Sequence, residues 1–134
     1  MTRTDRHEVS SDEHVVLLRQ LVRKRAVEIG FSLVDQTKIV TAASEIGRNT
    51  VIYGGGGVVT IEHLEEGGRQ GLRLVFEDHG PGIPNLELAM RDGYTTGAGL
   101  GLGLGGAKRL VNDFEIDTKV GGGTRIALTR WRFR

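Results

Sequence analysis

Cysteine is absent from this chain of 134 residues, which excludes disulfide bridges and thiolate metal sites. No apolar run approaches the ~18 residues that a membrane-spanning helix needs. Neither sign of charge dominates, since 18 basic residues face 17 acidic ones, so nothing indicates a nucleic-acid-binding surface or an acidic disordered tail. The polar segment 1–7 also lacks the apolar core of a secretion signal. We therefore expect a cytoplasmic protein without a nucleic-acid or membrane partner.

Glycine, in contrast, is abundant: the chain has 21, about twice the usual share of ~7%. The glycines cluster around a few loops, so low complexity does not explain them. The length suits one domain with a substantial core, and neither a repeat nor a linker divides the chain. We expect residues 1–134 to form a single domain in which the glycine-rich loops carry the function.

Hydrophobic periodicity and turn residues predict helices first and locally paired strands later. The predicted elements are an edge strand at 3–9, a helix from a capping box at Ser10 and Glu13 to Gly30, a helix from Ser32 to Gly54, a hairpin with strands at 58–64 and 72–76, a short helical piece at 85–90, a helix at 106–113, and a closing hairpin with strands at 114–120 and 124–132. This order favours an α+β fold, a two-layer sandwich whose mixed, mainly antiparallel sheet is covered on one face by helices.

Glu45 and Asn49 are one turn apart, so their side chains project from the same face of the second predicted helix. A carboxylate can polarise a hydroxyl group, and an amide oxygen can ligate Mg²⁺. Taken alone, such a pair is more often part of a solvated polar helix face, and the same holds for Arg48 as a phosphate contact.

An acidic turn, Asp-His-Gly-Pro-Gly-Ile at residues 78–83, follows the second predicted strand. The alternation of that strand places Asp78 on its inward face, where a carboxylate needs a partner or a ligand. An acceptor-only anion can hold the amino group of a purine. Asp78, Gly80 and Gly82 are equally explained as residues that simply form a tight turn.

A glycine ladder occupies residues 97–106, with glycine at nearly every second position. It contains Gly101-x-Gly103-x-x-Gly106, but the dinucleotide-binding fingerprint requires a preceding strand, and residues 92–96 are loop-like. The Walker and protein-kinase glycine loops also fail, because their companion residues are missing. What remains is a mobile loop that leads into a helix N-terminus, a common anion site. The alternating leucines disfavour the alternative, a solvated lid without a ligand.

These motifs together resemble the Bergerat-type ATPases, which include gyrase, Hsp-type chaperones and histidine kinases. Residues 45–49 are similar to the N box, residues 78–83 to the G1 box, and residues 97–106 to the G2 box and ATP lid. Gly123 and Thr124 are similar to the last nucleotide-contacting pair. The resemblance spans roughly residues 10–132, and within the group it is strongest to the RsbT-like serine/threonine switch kinases of the bacterial stressosome.

The resemblance implies a role for each matching residue. Glu45 would be the catalytic base, Asn49 would ligate Mg²⁺, and Asp78 would accept a hydrogen bond from the adenine amino group. The nucleotide-binding positions that it implies are Asn49, Asp78, Gly80, Gly82, Ile83, Gly99, Leu100, Gly101, Leu102, Gly103 and Thr124. Two residues depart from the expected pattern: Gly47, which costs a helix about 1 kcal/mol relative to alanine, and Gly105, where the subgroup is expected to have proline.

The implied function is an ATP- and Mg²⁺-dependent protein kinase that phosphorylates a serine or threonine of a STAS-domain antagonist. Once released, the kinase would bind and activate a metal-dependent serine phosphatase and so control a sigma-factor or stress-response pathway. The alternative is an anti-sigma factor, which would share all four motifs but sequester a sigma factor in an ATP-dependent manner.

Overall fold

A computed structural model describes residues 3–90 and 103–132, and it confirms the α+β prediction, the edge strand, both hairpins and the short helix. In chain order the elements are β1 (Thr4–Val9), α1 (Asp12–Ile29), α2 (Leu33–Ile52), β2 (Gly57–Glu66), β3 (Arg69–Asp78), α3 (Leu86–Ala89), α4 (Leu104–Arg109), β4 (Asp113–Lys119) and β5 (Gly123–Trp131).

The five strands form one sheet in the order β1-β2-β3-β5-β4. Each of the four strand pairings formed within residues 3–90 and 103–132 is antiparallel, so the parallel component of a mixed sheet is not found there. Leu72, Leu74 and Phe76 are buried, as the predicted alternation requires, and they join the apolar sides of α1 and α2 in one core. The acidic turn therefore begins where the central strand β3 leaves the sheet.

The start of α1 differs from the prediction by one residue. Ser11, and not Ser10, has the extended backbone of an N-cap, and its side chain accepts a hydrogen bond from the His14 amide. Ser10 follows the last residue of β1, and its own amide donates to His14 Nδ1 at 3.0 Å. The predicted capping box at Ser10 and Glu13 was wrong because both serines suit a cap, and the extent of β1 decides between them.

Helix α2 begins and packs as predicted, with Ser32 accepting from the Asp35 amide at 3.1 Å. Its Gly47 has a structural reason: a Cβ there would lie 3.2 Å from Leu18 Cδ2 of α1. A glycine at this position lets the two helices approach closely, which offsets its poor helix propensity. The glycine that departs from the expected pattern is thus a packing residue of the α1–α2 interface.

Helix α4 runs from Leu104 to Arg109, although residues 106–113 were predicted to be helical. It ends early because Asn112 donates its amide to Thr129 O and Asp113 begins β4. Asn112 and Asp113, which were predicted to be helical, therefore bond to β5 instead. It starts early because Leu104 is buried in the core, which draws the end of the glycine ladder into the helix.

Two buried arginines form ion pairs, each of which joins a helix to a strand of the sheet. Arg25 of α1 pairs with Asp5 of β1, and Arg130 of β5 pairs with Asp35 of α2. The guanidinium of Arg130 holds the pKa of Asp35 below its ordinary value, against the opposing effect of burial. Arg25 lowers the pKa of Asp5 in the same way.

We expect the Asp35→Asn variant to lose about 2 kcal/mol of unfolding free energy at pH 7, since a hydrogen bond to a buried charge is worth about that much. The lowered pKa means that the native state favours the carboxylate. Its contribution is complete above the unfolded value of ~3.9 and disappears as the pH falls through the lower native value. The free energies of unfolding of the two proteins, measured in urea, should therefore converge as the pH falls below about 4. A gap that stays constant down to pH 3 would contradict this, and Asp117→Asn, at an exposed position of β4, is the control.

Candidate nucleotide-binding site

A cavity of about 220 Å³ lies between α2, the acidic turn, α4 and β5. Residues from four of the predicted motifs meet here, although they are far apart in the chain. The lining residues are Asn49, Thr50, Tyr53, Gly54, Asp78, Gly82, Ile83, Pro84, Asn85, Ala89, Leu104, Thr124 and Ile126.

Asp78 is the last residue of β3 and lies directly opposite Thr124 in the pairing with β5. Its Oδ1 accepts a hydrogen bond from the Gly80 amide at 2.9 Å, which fixes the carboxylate at the wall of the cavity. A Cβ at Gly54 would lie 2.5 Å from Asp78 Oδ2. Gly54 was predicted only to end α2, but its missing side chain is what makes room for the carboxylate.

The glycines of the acidic turn are required by backbone packing. A Cβ at Gly80 would lie 2.7 Å from Gly54 Cα, so the turn rests on the end of α2. Gly82 has a φ of +77° and faces the backbone of Lys119. Gly82 and Ile83 also line the cavity, whereas Gly80 is not among its lining residues. The turn-geometry explanation that the sequence left open therefore accounts for both glycines, and Gly82 borders the cavity as well.

Thr118 of β4 was missed by sequence reasoning, yet its hydroxyl joins two parts of the site. Thr118 Oγ1 accepts from the Ile83 amide at 2.9 Å and lies 2.9 Å from Thr124 Oγ1. It also lies 3.3 Å from Gly123 O, to which it donates. Thr118 therefore ties the acidic turn to the threonine that faces Asp78. A single threonine on an edge strand gives no signal of this in the sequence.

We expect Thr118→Val to weaken ATP binding about five- to thirtyfold, because an amide left without its acceptor costs about 1–2 kcal/mol. Valine keeps the shape of the side chain but leaves the Ile83 amide unpaired and frees the Thr124 hydroxyl. Thr118→Ser keeps the hydroxyl and should bind ATP nearly as the wild type does. Isothermal titration calorimetry on the three proteins checks this, and equal affinities for valine and threonine would refute the role of Thr118.

Glu45 and Asn49 lie one turn apart on α2, as predicted, but in different surroundings. Asn49 lines the cavity, whereas the half-buried Glu45 lies beside Gly103, the N-cap residue of α4. A Cβ at Gly103 would lie 2.5 Å from Glu45 Oε2, and Gly103 has a φ of +66°. The last glycine before α4 thus packs directly against the predicted base.

The rest of the predicted ladder site, Gly99, Leu100, Gly101 and Leu102, lies outside the described residues. No helix among the described parts of the chain is long and apolar enough to cross a membrane. Likewise, residues 3–90 and 103–132 contain no group of three or more histidine, aspartate or glutamate side chains that could hold a metal ion.

Residues 34–133 match the family described as the histidine kinase-, DNA gyrase B- and HSP90-like ATPases. The chain is 43% identical over 123 residues to the serine/threonine-protein kinase RsbT of Bacillus subtilis, covering 92% of each protein. It is 27% identical over 128 residues to an anti-sigma F factor of Clostridium kluyveri, covering 91% of this chain and 89% of that protein. A solved Mycobacterium tuberculosis structure with RsbU and RsbW domains superimposes with a TM-score of 0.64 at 24% identity. That match covers the whole of this chain and 34% of the longer protein, and it supports the fold.

Proposed function

The chain belongs to the histidine kinase-, DNA gyrase B- and HSP90-like ATPase family, and we propose that it works as an ATP-dependent protein serine/threonine kinase that switches between protein partners. The observation that carries the proposal is the cavity itself, where Asp78 and Thr124 form one wall and Asn49 projects from another. The 43% identity to RsbT over nearly the full length of both proteins supports the same activity.

Asp78 and Thr124 are the residues we assign to the adenine. Gly80 already occupies one lone pair of Asp78 Oδ1, and the carboxylate retains acceptor capacity towards the cavity. Adenine offers its amino group as a donor to such an acceptor, so this wall suits the base of ATP.

Asn49 is the residue we assign to Mg²⁺. Its amide oxygen is a ligand of the kind Mg²⁺ prefers, and Mg²⁺ commonly takes only one or two protein ligands beside phosphates and water. Because no acidic cluster was found in residues 3–90 and 103–132, the ion would be held mainly by the phosphates it accompanies. When bound, it would supply charge neutralisation for the transferred group.

Glu45 is the residue we assign to the acceptor hydroxyl. A carboxylate that receives or orients the proton of an attacking hydroxyl contributes typically about 10²–10⁴-fold to a rate. Its position one turn from Asn49 and against Gly103 places it beside the start of α4. Phosphoryl transfer depends chiefly on positioning and charge neutralisation, and these residues supply positioning.

We assign as substrate a serine or threonine of a STAS-domain antagonist, and as second partner a metal-dependent serine phosphatase. An ATP-dependent anti-sigma factor is the alternative, which the 27% identity to an anti-sigma F factor supports. The higher identity to RsbT supports the kinase.

A pull-down with three purified candidates separates the two functions. The protein would be immobilised with Mg²⁺ and either ADP or ATP, then offered a STAS-domain protein, a serine phosphatase and a sigma factor from the same genome. Retention of the STAS protein and the phosphatase, without the sigma factor, is the expected result. Retention of the sigma factor alone would replace the kinase with the alternative.

A further inference from the structure

Arg130 is a buried cation that joins three elements of the fold. It lies on β5 and is 9% exposed. Its Nη1 donates to the Leu110 carbonyl at 2.9 Å, and its Nη2 donates to Asp35 Oδ1 at 2.5 Å. One side chain therefore holds the first turn of α2 and the C-cap of α4 against the sheet.

Helix α4 connects this arginine to the nucleotide cavity. Its N-cap residue, Gly103, lies against Glu45, and its first residue, Leu104, lines the cavity. At 1.5 Å per residue, a helix of six residues is only about 9 Å long. A displacement of Leu110 therefore moves Gly103 by a similar distance.

Helix α2 carries both the residue that binds Arg130 and the two residues assigned to the acceptor hydroxyl and to Mg²⁺. Asp35 lies in its first turn, and Glu45 and Asn49 follow on the same continuous helix. Because Arg130 binds α2 and α4 at once, it fixes the position of one helix relative to the other. The planar guanidinium fork allows this, since it presents several donors in a rigid arrangement that a lysine ammonium lacks.

We propose that Arg130 is a positioning residue for phosphoryl transfer, which seats α4 on α2 and thereby keeps Gly103 in place beside Glu45 and Leu104 in place at the cavity. The proposal rests on the kinase function proposed above. Arg130 acts through α4, and it is not among the residues that line the cavity. A small misplacement remote from the reacting atoms can cost an enzyme about 10²-fold in rate.

Arg25 provides a matched control within the same chain. It is 8% exposed and pairs with Asp5 and Glu28. The pair with Asp5 joins α1 to β1, the pair with Glu28 lies within α1, and none of the three residues lines the cavity. If Arg130 has a purely structural role, substitution of either arginine should affect stability and transfer rate alike. If Arg130 has a positioning role, only its substitution should lower the transfer rate of the folded protein.

The test compares Arg130→Gln, Arg130→Lys and Arg25→Gln with the wild type. Melting temperature, ATP affinity and single-turnover transfer rate are measured at a temperature where each protein is folded. Both glutamine variants should melt earlier. Only the Arg130 variants should lose about tenfold or more in transfer rate, with ATP affinity changed by less than about threefold. Lysine should restore most of the melting temperature but little of the rate, because it keeps the charge near Asp35 and loses the second bond.

Hydrogen exchange of the α4 amides tests the seating of the helix without relying on activity. The amides of Ala107 and Leu110, which donate to Gly103 O and Ala107 O, should exchange faster in Arg130→Lys and be unchanged in Arg25→Gln. Equal exchange and equal rates per folded molecule in the two arginine series would overturn the proposal. A wild type that binds ATP but transfers no phosphate would instead contradict the kinase function, and the exchange data would still decide on Arg130.

Discussion

The Glu45→Gln variant should bind ATP as the wild type does and transfer phosphate about 10²–10⁴-fold more slowly, which is the range for loss of a general base. Glutamine keeps the size of the side chain and its contact with Gly103 but cannot accept the proton of the acceptor hydroxyl. Asn49, which lines the cavity one turn away, is untouched, so the nucleotide end of the site stays intact. Single-turnover transfer and equilibrium ATP binding measure the two effects separately.

Glu62→Gln is the control for this experiment, since Glu62 is also a half-buried glutamate but lies on β2, away from the cavity lining. It should transfer phosphate at nearly the wild-type rate. If Glu45→Gln does the same, Glu45 is not the base, and the carboxylate beside Gly103 has only a packing role.

The Asp78→Asn variant should bind ATP about 10- to 100-fold more weakly, because loss of a hydrogen bond to a charged group costs about 1.5–3 kcal/mol. Asparagine can still accept the Gly80 amide through its Oδ1, so the acidic turn keeps its shape. Its amino group then faces the cavity where the carboxylate had an acceptor, and two donors meet if the base is adenine. Nucleotide affinity, measured by calorimetry, should fall without a comparable loss of thermal stability.

Glu77→Gln, at the preceding position of β3, is the matched control because alternation directs its side chain to the other face of the sheet. Unchanged ATP affinity in Asp78→Asn would remove the adenine assignment. A similar loss in both variants would point to general electrostatics in place of a specific contact.

The elements that the sequence predicted well are those governed by local patterns. The α2 stripe repeats at helical spacing, and Leu72, Leu74 and Phe76 alternate along β3, so the burial of these residues followed from periodicity. Val75, on the opposite face of β3, is buried as well, which the alternation did not predict. The errors occurred where distant residues decide. Ser11 caps α1 because β1 extends up to Val9, and α4 ends early because the residues after it pair with β5.

The residues of the candidate site divide in the same way, into those predicted from local motifs and those whose role depends on distant contacts. Asn49, Asp78 and Thr124 were predicted from motifs, and the structure brings all three to one cavity. Gly54, Thr118 and Arg130 were not, since their importance arises only from contacts across the fold: a carboxylate beside the end of α2, a hydroxyl of β4 that accepts from the acidic turn, and a guanidinium between two helices. None of these contacts involves residues close together in the chain, so no local pattern could reveal them.

Transfer of the γ-phosphate to a STAS-domain protein is the most direct test of the proposed function. The protein would be incubated with Mg²⁺, γ-labelled ATP and a STAS-domain protein from the same genome that it retains in a pull-down, and the labelled residue would be identified by mass spectrometry. Label on a serine or threonine of that partner is the expected result, at a level that falls with Glu45→Gln and with Asp78→Asn. A retained partner that gains no label, or label that resides on a histidine, would contradict it.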